Sequence, residues 1–469
     1  MDGRPMSLSS STRVNLAFAG AALVVAALIG VLVPISPTLA VAALVAVVAA
    51  PAAVIRPRLI PHVLVVAVFA EALTIGGVTV GRLVAPLALV AVISQAATAP
   101  LRLRHAGLTV GLIIGYASLA VASLAWTVDV RATFDALASL GISLAYMGAF
   151  ATLVRTPRDL RALMWTMLGS SIVLGWLWIT QFASGVDRRF STAGDPNFFA
   201  ALQVAVIPLV VVLASSQRSP GRRLVMYLAI AIIADSIIST LSRGGFVTLL
   251  MVSLLLAFLP ARALFRSRRE KAAFFTAAAV GLAILLPLAW GPLGERFQQG
   301  FQQSHVAGDR GDLWMAAMHG YALHPLTGLG YGGFEATSFQ LLRSTPGVNL
   351  AAHARFRDGE FAHSAYLGSL AELGPLGLLL FVGVLGAAAL SLRRTARRAI
   401  ASGDSFIRSV ANAVLVGLLA FSASSILLST ETSRALWLIV GLSLALPGMV
   451  APPSPRAVSP EPTVAQAST

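Results

Sequence analysis

Cysteine is absent from the 469 residues, so disulfides, thiolate metal sites and cysteine nucleophiles are excluded. Charge is scarce at 11% of residues, and Lys271 is the single lysine among 34 basic side chains. Soluble globular domains carry about 25% charged residues, so this chain lacks the means to dress an ordinary water-facing surface. What fills the sequence instead is apolar: 57% of residues are hydrophobic and the mean hydropathy is +0.83. The chain reads as an integral membrane protein.

Apolar runs of membrane-crossing length recur between short breaks that carry Arg, Gly or Pro. They fall at 14–33, 38–55, 60–77, 83–100, 107–126, 133–154, 162–182, 197–214, 224–241, 245–261, 273–290, 364–390, 406–428 and 435–451. A spanning backbone must satisfy its own hydrogen bonds, and these runs do not alternate as barrel strands do, so they are helices. The expectation is an all-α polytopic membrane protein of about 12–14 transmembrane helices. The net charge of +15 is spread over short connecting loops with no continuous patch, which speaks for topology and against nucleic acid. The first span begins near Val14 after a Ser-rich start and reads as a retained helix.

Basic residues set the orientation. Arg4, Arg13, Arg56, Arg58, Arg102, Arg104, Arg155, Arg158, Arg161, Arg218, Arg222, Arg223, the 262–271 cluster and the 393–398 run lie in one set of loops. The opposite set is poorer in Arg although its loops are longer, so the first set faces the cytoplasm. This gives a cytoplasmic start at 1–13 and a transmembrane region of about eleven spans at 14–290. An extracytoplasmic loop at 291–363, transmembrane helices at 364–451 and a disordered cytoplasmic tail at 452–469 follow. The loop is expected to hold the chemistry, and arginines on its side, among them Arg188, Arg189, Arg243, Arg310, Arg343, Arg355 and Arg357, each call for a counter-anion.

Four stretches carry candidate chemistry. In Ser242-Arg243-Gly244-Gly245 one span ends as another begins, and Asp235, Ser239 and Arg243 recur every four residues, as on one helical face. An acid inside a membrane calls for a polar cavity or a partner; Glu71 either shares that cavity or makes a purely structural pair. Asp309-Arg310-Gly311-Asp312 opens an amphipathic helix with Asp309 as N-cap and Leu313, Trp314, Ala317 and Tyr321 as its apolar stripe, stopped by His324-Pro325. Thr327–Phe334 is glycine-dense, a tight turn or a backbone nest for phosphate oxygens. Glu360-Phe361-Ala362-His363 lies where the loop re-enters the membrane, and a carboxylate one turn earlier would orient the His363 ring as a general base. His319, His324, His353 and His363 follow no metal-ligand spacing, so no metal is expected.

Taken together, the SRGG element, Arg310 with Trp314, His324-Pro-Leu-Thr-Gly-Leu-Gly330-Tyr-Gly, and His363-Ser-Ala-Tyr-Leu followed by Glu372-Leu-Gly-Pro-Leu-Gly377 resemble the O-antigen ligase/O-antigen polymerase superfamily over about 185–390. The resemblance implies a metal-independent glycosyltransferase of the GT-C type without a cofactor. Its partners would be an undecaprenyl-pyrophosphate-linked glycan donor, a glycan or glycolipid acceptor and membrane lipid, at the outer face of a bacterial plasma (inner) membrane. It places Arg243 and Arg310 on the pyrophosphate and His363 on the acceptor hydroxyl. Arg188, Arg189, Asp235, Trp314 and Glu360 are further candidate substrate-binding residues. The stretch from Asp187 to Asn197 resembles a family loop that contributes to donor binding. Ser364 departs from the pattern, since family members commonly carry Asn there. A polymerase of the same superfamily and a transporter or flippase of lipid-linked glycans, with Asp235 and Glu71 as its sites, stand as alternatives.

Overall fold

The computed structural model describes residues 55–71, 73–75, 78–98, 107–184, 195–302, 309–353 and 359–450. The expected span 14–33, all but the last residue of 38–55, the terminal segments 1–13 and 452–469, and Arg188, Arg189, Arg355 and Arg357 lie outside the described residues.

The chain runs through α1 (Ile60–Phe69), the hairpin β1 (Thr74–Ile75) and β2 (Val78–Thr79), α2 (Val80–Thr98), α3 (Gly107–Ala122), α4 (Val130–Leu153) and α5 (Pro157–Ala183). It continues through α6 (Pro196–Ser216), α7 (Pro220–Ser239), α8 (Arg243–Phe258), α9 (Ala261–Leu264), α10 (Arg268–Gln302), α11 (Asp309–Leu323) and α12 (Gly333–Ser344). It ends with α13 (Ala365–Ala401), α14 (Ser405–Ser424) and α15 (Arg434–Ala445). The one sheet among the described residues is that antiparallel hairpin, with Thr74 opposite Thr79 and Ile75 opposite Val78. Among the described residues seven helices, namely α2 to α6, α13 and α14, are long and apolar enough to cross a membrane, while α1, α8 and α15 are shorter apolar helices. The protein is an all-α polytopic membrane protein.

Several boundaries differ from the hydropathy reading. The run at 60–77 is helical only to Phe69, because β-branched Thr74, Ile75, Val78 and Thr79 pair as strands. Helix α10 has 35 residues and passes Gly291, where the outer loop was expected to begin. Helix α13 has 37 residues but is broken at Gly374; the piece from Pro375 to Ala401 is ~40 Å long at 1.5 Å per residue against a hydrocarbon core of ~30 Å, so its basic end projects beyond that core.

Helix α6 is the centre. Apolar all round, it buries Pro196 and every residue from Phe199 to Ala214, as such a helix must. It packs against α5, α7, α8 and α14. At the crossing with α14, a Cβ on Gly417 would meet the Ala205 carbonyl oxygen at 2.8 Å, so only glycine lets the two backbones approach this far. Helix α15 is buried along its whole length against α4, α13 and α14. The perimeter is the reverse of a soluble protein's: Leu89, Ile93, Ile114, Trp176, Leu250, Phe258 and Leu379 are exposed, as lipid-facing side chains require.

Candidate active site at four helix N-termini

Local sequence fixes the start of each helix around the site. Asp195 caps α6, its Oδ1 accepting the amides of Asn197 and Phe198 at 2.8 Å each. Ser242 caps α8; its Oγ accepts the Gly245 amide at 3.0 Å and donates to Asn197 Oδ1 at 2.8 Å. The two helix starts are thereby bonded, and a Cβ on Gly245 would meet the Ala200 Cβ at 2.5 Å. Ser364 caps α13 by accepting the Leu367 amide. Asn and Ser are near-equivalent N-caps, which accounts physically for the departure from the family residue at 364. Arg243 is the first residue of α8 and Arg310 the second of α11.

Two non-glycine residues among those described have positive φ, and both adjoin these elements: Leu241 at 51° and His363 at 47°. Leu241 corrects the four-residue periodicity. The chain leaves α7 at Ser239, turns through Leu241 and restarts at Arg243, so Asp235 and Arg243 share no helical face. Asp235 is half-buried inside α7. His363 is held in its left-handed conformation from both sides. Behind it, the Ala365 amide donates to the carbonyls of Ser425 and Leu428 at 2.9 Å each. Ahead of it, the Glu360 amide donates to Ser338 Oγ at 2.8 Å and Ala362 is 3% exposed. Strain of this kind persists only where the surroundings over-determine it, and it clusters at functional sites.

The structure brings Arg243, Arg310, His363 and Asp195 together. Arg310 lies within electrostatic reach of Asp195 and Arg243, and His363 within reach of Arg310 and Asp195. Burial pushes the Arg310 guanidinium down, Asp195 opposes this and Arg243 adds to it. Burial is also the largest influence on His363 and lowers it; Arg310 lowers it further and Asp195 raises it. The ring is therefore neutral at neutral pH, as a base must be. Two guanidinium groups gather where four helix N-termini add their dipoles, an arrangement suited to an anion. Asp195 entered the sequence reading only within the 187–197 stretch and was given no role of its own beside His363 and Arg310; its legible signal was Asp-Pro-Asn, an N-cap followed by Pro at the first helical position.

Other expectations find different partners. Glu360 does not orient His363: its Oε2 lies 2.8 Å from Nδ1 of His353, seven residues earlier in the chain. The glycine-dense turn is no phosphate nest. Gly374 (φ 67°) and Pro375 break α13, freeing the carbonyls of Ala371 and Glu372 to accept the amides of Leu329 and Gly330 at 2.9 Å. The amides of Gly332 and Phe334 then hold the protein's own Glu372 carboxylate. Gly328, Gly330 and Gly332 all have positive φ, and a Cβ on Gly330 would come within 2.4 Å of Thr127. Glu71 makes the structural pair, bonding to Arg434 Nη1 between α1 and α2. In α11 the buried stripe is Leu313, Ala316 and Ala317, packed with Leu329, Phe334 and Leu341; Trp314 and Tyr321 are half-buried at its margins.

The fold and this site define a polytopic membrane protein with a strained histidine, two arginines and an acid gathered where helices begin. Residues 228–382, about a third of the chain, match the family model described as O-antigen ligase, which supports the O-antigen ligase/polymerase superfamily. The matched segment contains Arg243, Arg310 and His363. No curated protein matches the chain.

Proposed function

We propose that the protein is a membrane glycosyltransferase that moves a glycan from an undecaprenyl-pyrophosphate-linked donor to a hydroxyl of a glycan or glycolipid acceptor, at the outer face of a bacterial plasma membrane. The observation that carries this reading is the convergence of Arg243, Arg310, Asp195 and a neutral His363 around helix N-termini. Arg243 and Arg310 bind the pyrophosphate through charge-assisted hydrogen bonds. As the bond from the sugar's anomeric carbon to the pyrophosphate oxygen breaks, its electron pair stays on the leaving phosphate, where the two guanidinium groups stabilise the growing charge. The acceptor oxygen bonds to the anomeric carbon and gives its proton to His363. Asp195 lies within electrostatic reach of both Arg310 and His363 and favours the imidazolium that forms.

The test is glycan transfer by purified protein in lipid nanodiscs supplied with a defined lipid-linked glycan donor and a hydroxyl acceptor. Folded Arg310→Ala and His363→Asn proteins are expected to transfer far more slowly; transfer at the wild-type rate by either overturns its assigned role. The length of the product separates single transfer, a ligase, from a polymerase.

A further inference from the structure

We infer that His353 is a positioning residue that clamps the Arg310 segment to the His363 segment, a role resting on the glycosyl-transfer reading above. Its ring is 1% exposed, with Nδ1 2.8 Å from Glu360 Oε2 and Nε2 3.4 Å from Asp312 Oδ2. Asp312 stands two residues after Arg310, and Glu360 three residues before His363. One imidazole thus joins the start of α11, which presents Arg310, to the strained segment that presents His363.

The apolar contacts between these segments do not fix register by themselves. The cluster is built largely of small and aliphatic groups, Leu313, Ala316, Ala317, Ala362 and Ala371 among them, and hydrophobic burial is non-directional. The hydrogen bonds supply direction. Asp312 Oδ2 also accepts the Asn349 amide at 3.1 Å, so the carboxylate is held in turn by the stretch leading to His353. Gly359 packs on α12 so closely that a Cβ there would meet the Glu335 carbonyl oxygen at 2.6 Å. The ring is hydrogen-bonded to Glu360 through Nδ1, while Nε2 makes no hydrogen bond and meets Asp312 as a close polar contact. Among the described residues no three such side chains are arranged to hold a metal ion.

The absence of cysteine makes introduced cysteines unique labelling sites. Met318 is 44% and Phe361 50% exposed, and spin labels on Met318→Cys with Phe361→Cys report the distance between α11 and the segment before His363. In full-length protein His353→Leu is expected to broaden that distance distribution. It should also lower kcat about 10²-fold, the scale of a 1 Å misplacement, while donor KM changes less. Adding His363→Asn to His353→Leu should cost much less than His363→Asn alone, because residues acting as a unit are non-additive. His353→Gln, able to keep the hydrogen bond to Glu360, should fall between Leu and wild type. A folded His353→Leu protein with the wild-type distance distribution and the wild-type kcat overturns the clamp. Should His353→Leu not fold, Glu360→Gln interrogates the same bond from the other side, with the same two readouts. If the wild-type protein transfers no lipid-linked glycan, the functional reading falls by itself, and the distance measurement still decides whether His353 clamps these segments.

Discussion

Replacing His363 with Asn is the sharpest perturbation of the proposed site. The backbone at 363 has φ 47°, a conformation in which alanine is strained but asparagine is comparatively tolerated. His363→Asn therefore removes the base without asking the chain to abandon its left-handed turn. A positioned general base contributes about 10²- to 10⁴-fold, or about 2.7–5.4 kcal/mol of barrier at 1.36 kcal/mol per tenfold. The variant should lose that much in kcat while the donor, bound by Arg243 and Arg310, still binds. The pH profile supplies a signed companion. The base works when deprotonated, and burial followed by Arg310 lowers its pKa from the ordinary 6.5, while Asp195 raises it. Asp195→Asn keeps a competent N-cap but removes the negative charge, so the His363 pKa falls and the acidic limb of the kcat profile moves to lower pH. Initial rates of transfer from a lipid-linked donor, measured across the acidic range, read both effects. A His363→Asn variant whose kcat stays close to wild type, or an acidic limb that Asp195→Asn moves upward, would refute the reasoning.

Other outcomes follow from the same contacts. Arg310→Ala or Arg243→Ala should weaken donor binding and turnover together, each by about 10- to 150-fold if one charge-assisted contact of ~1.5–3 kcal/mol is lost, as measured by donor titration and single-turnover transfer. Gly330→Ala combines a φ of 90° with a Cβ 2.4 Å from Thr127, so it should destabilise by at least ~1–3 kcal/mol, visible as a lower midpoint in detergent unfolding. Arg434→Met strands the Glu71 carboxylate. Because Glu71 is 31% exposed, the cost should sit near the low end of the ~3–5 kcal/mol for breaking a buried pair, with partial recovery in the Glu71→Gln/Arg434→Met double variant. Ser364→Asn should leave stability near wild type, whereas Ser364→Ala should cost ~1 kcal/mol through loss of the cap, by the same unfolding measurement.

Hydropathy and composition by themselves determined that the chain is helical and crosses a membrane, because a lipid-embedded backbone has few other solutions. Local signals were legible for the same reason: the helix stop at His324-Pro325, the Arg310 helix, and Arg243 at the start of a span depend on near neighbours in the chain. Only the tertiary structure decided partners. Glu360 is one turn from His363 in sequence yet bonds His353, Glu71 meets Arg434 across 363 positions, and the amides of the glycine turn are taken by Glu372. Periodicity assumes an unbroken helix, and Leu241 broke it between Asp235 and Arg243. Spacing along a chain reports which side chains share a face. It carries no information about which faces later meet, so the meeting of four helix starts at one anion-adapted point belongs to the packing around α6.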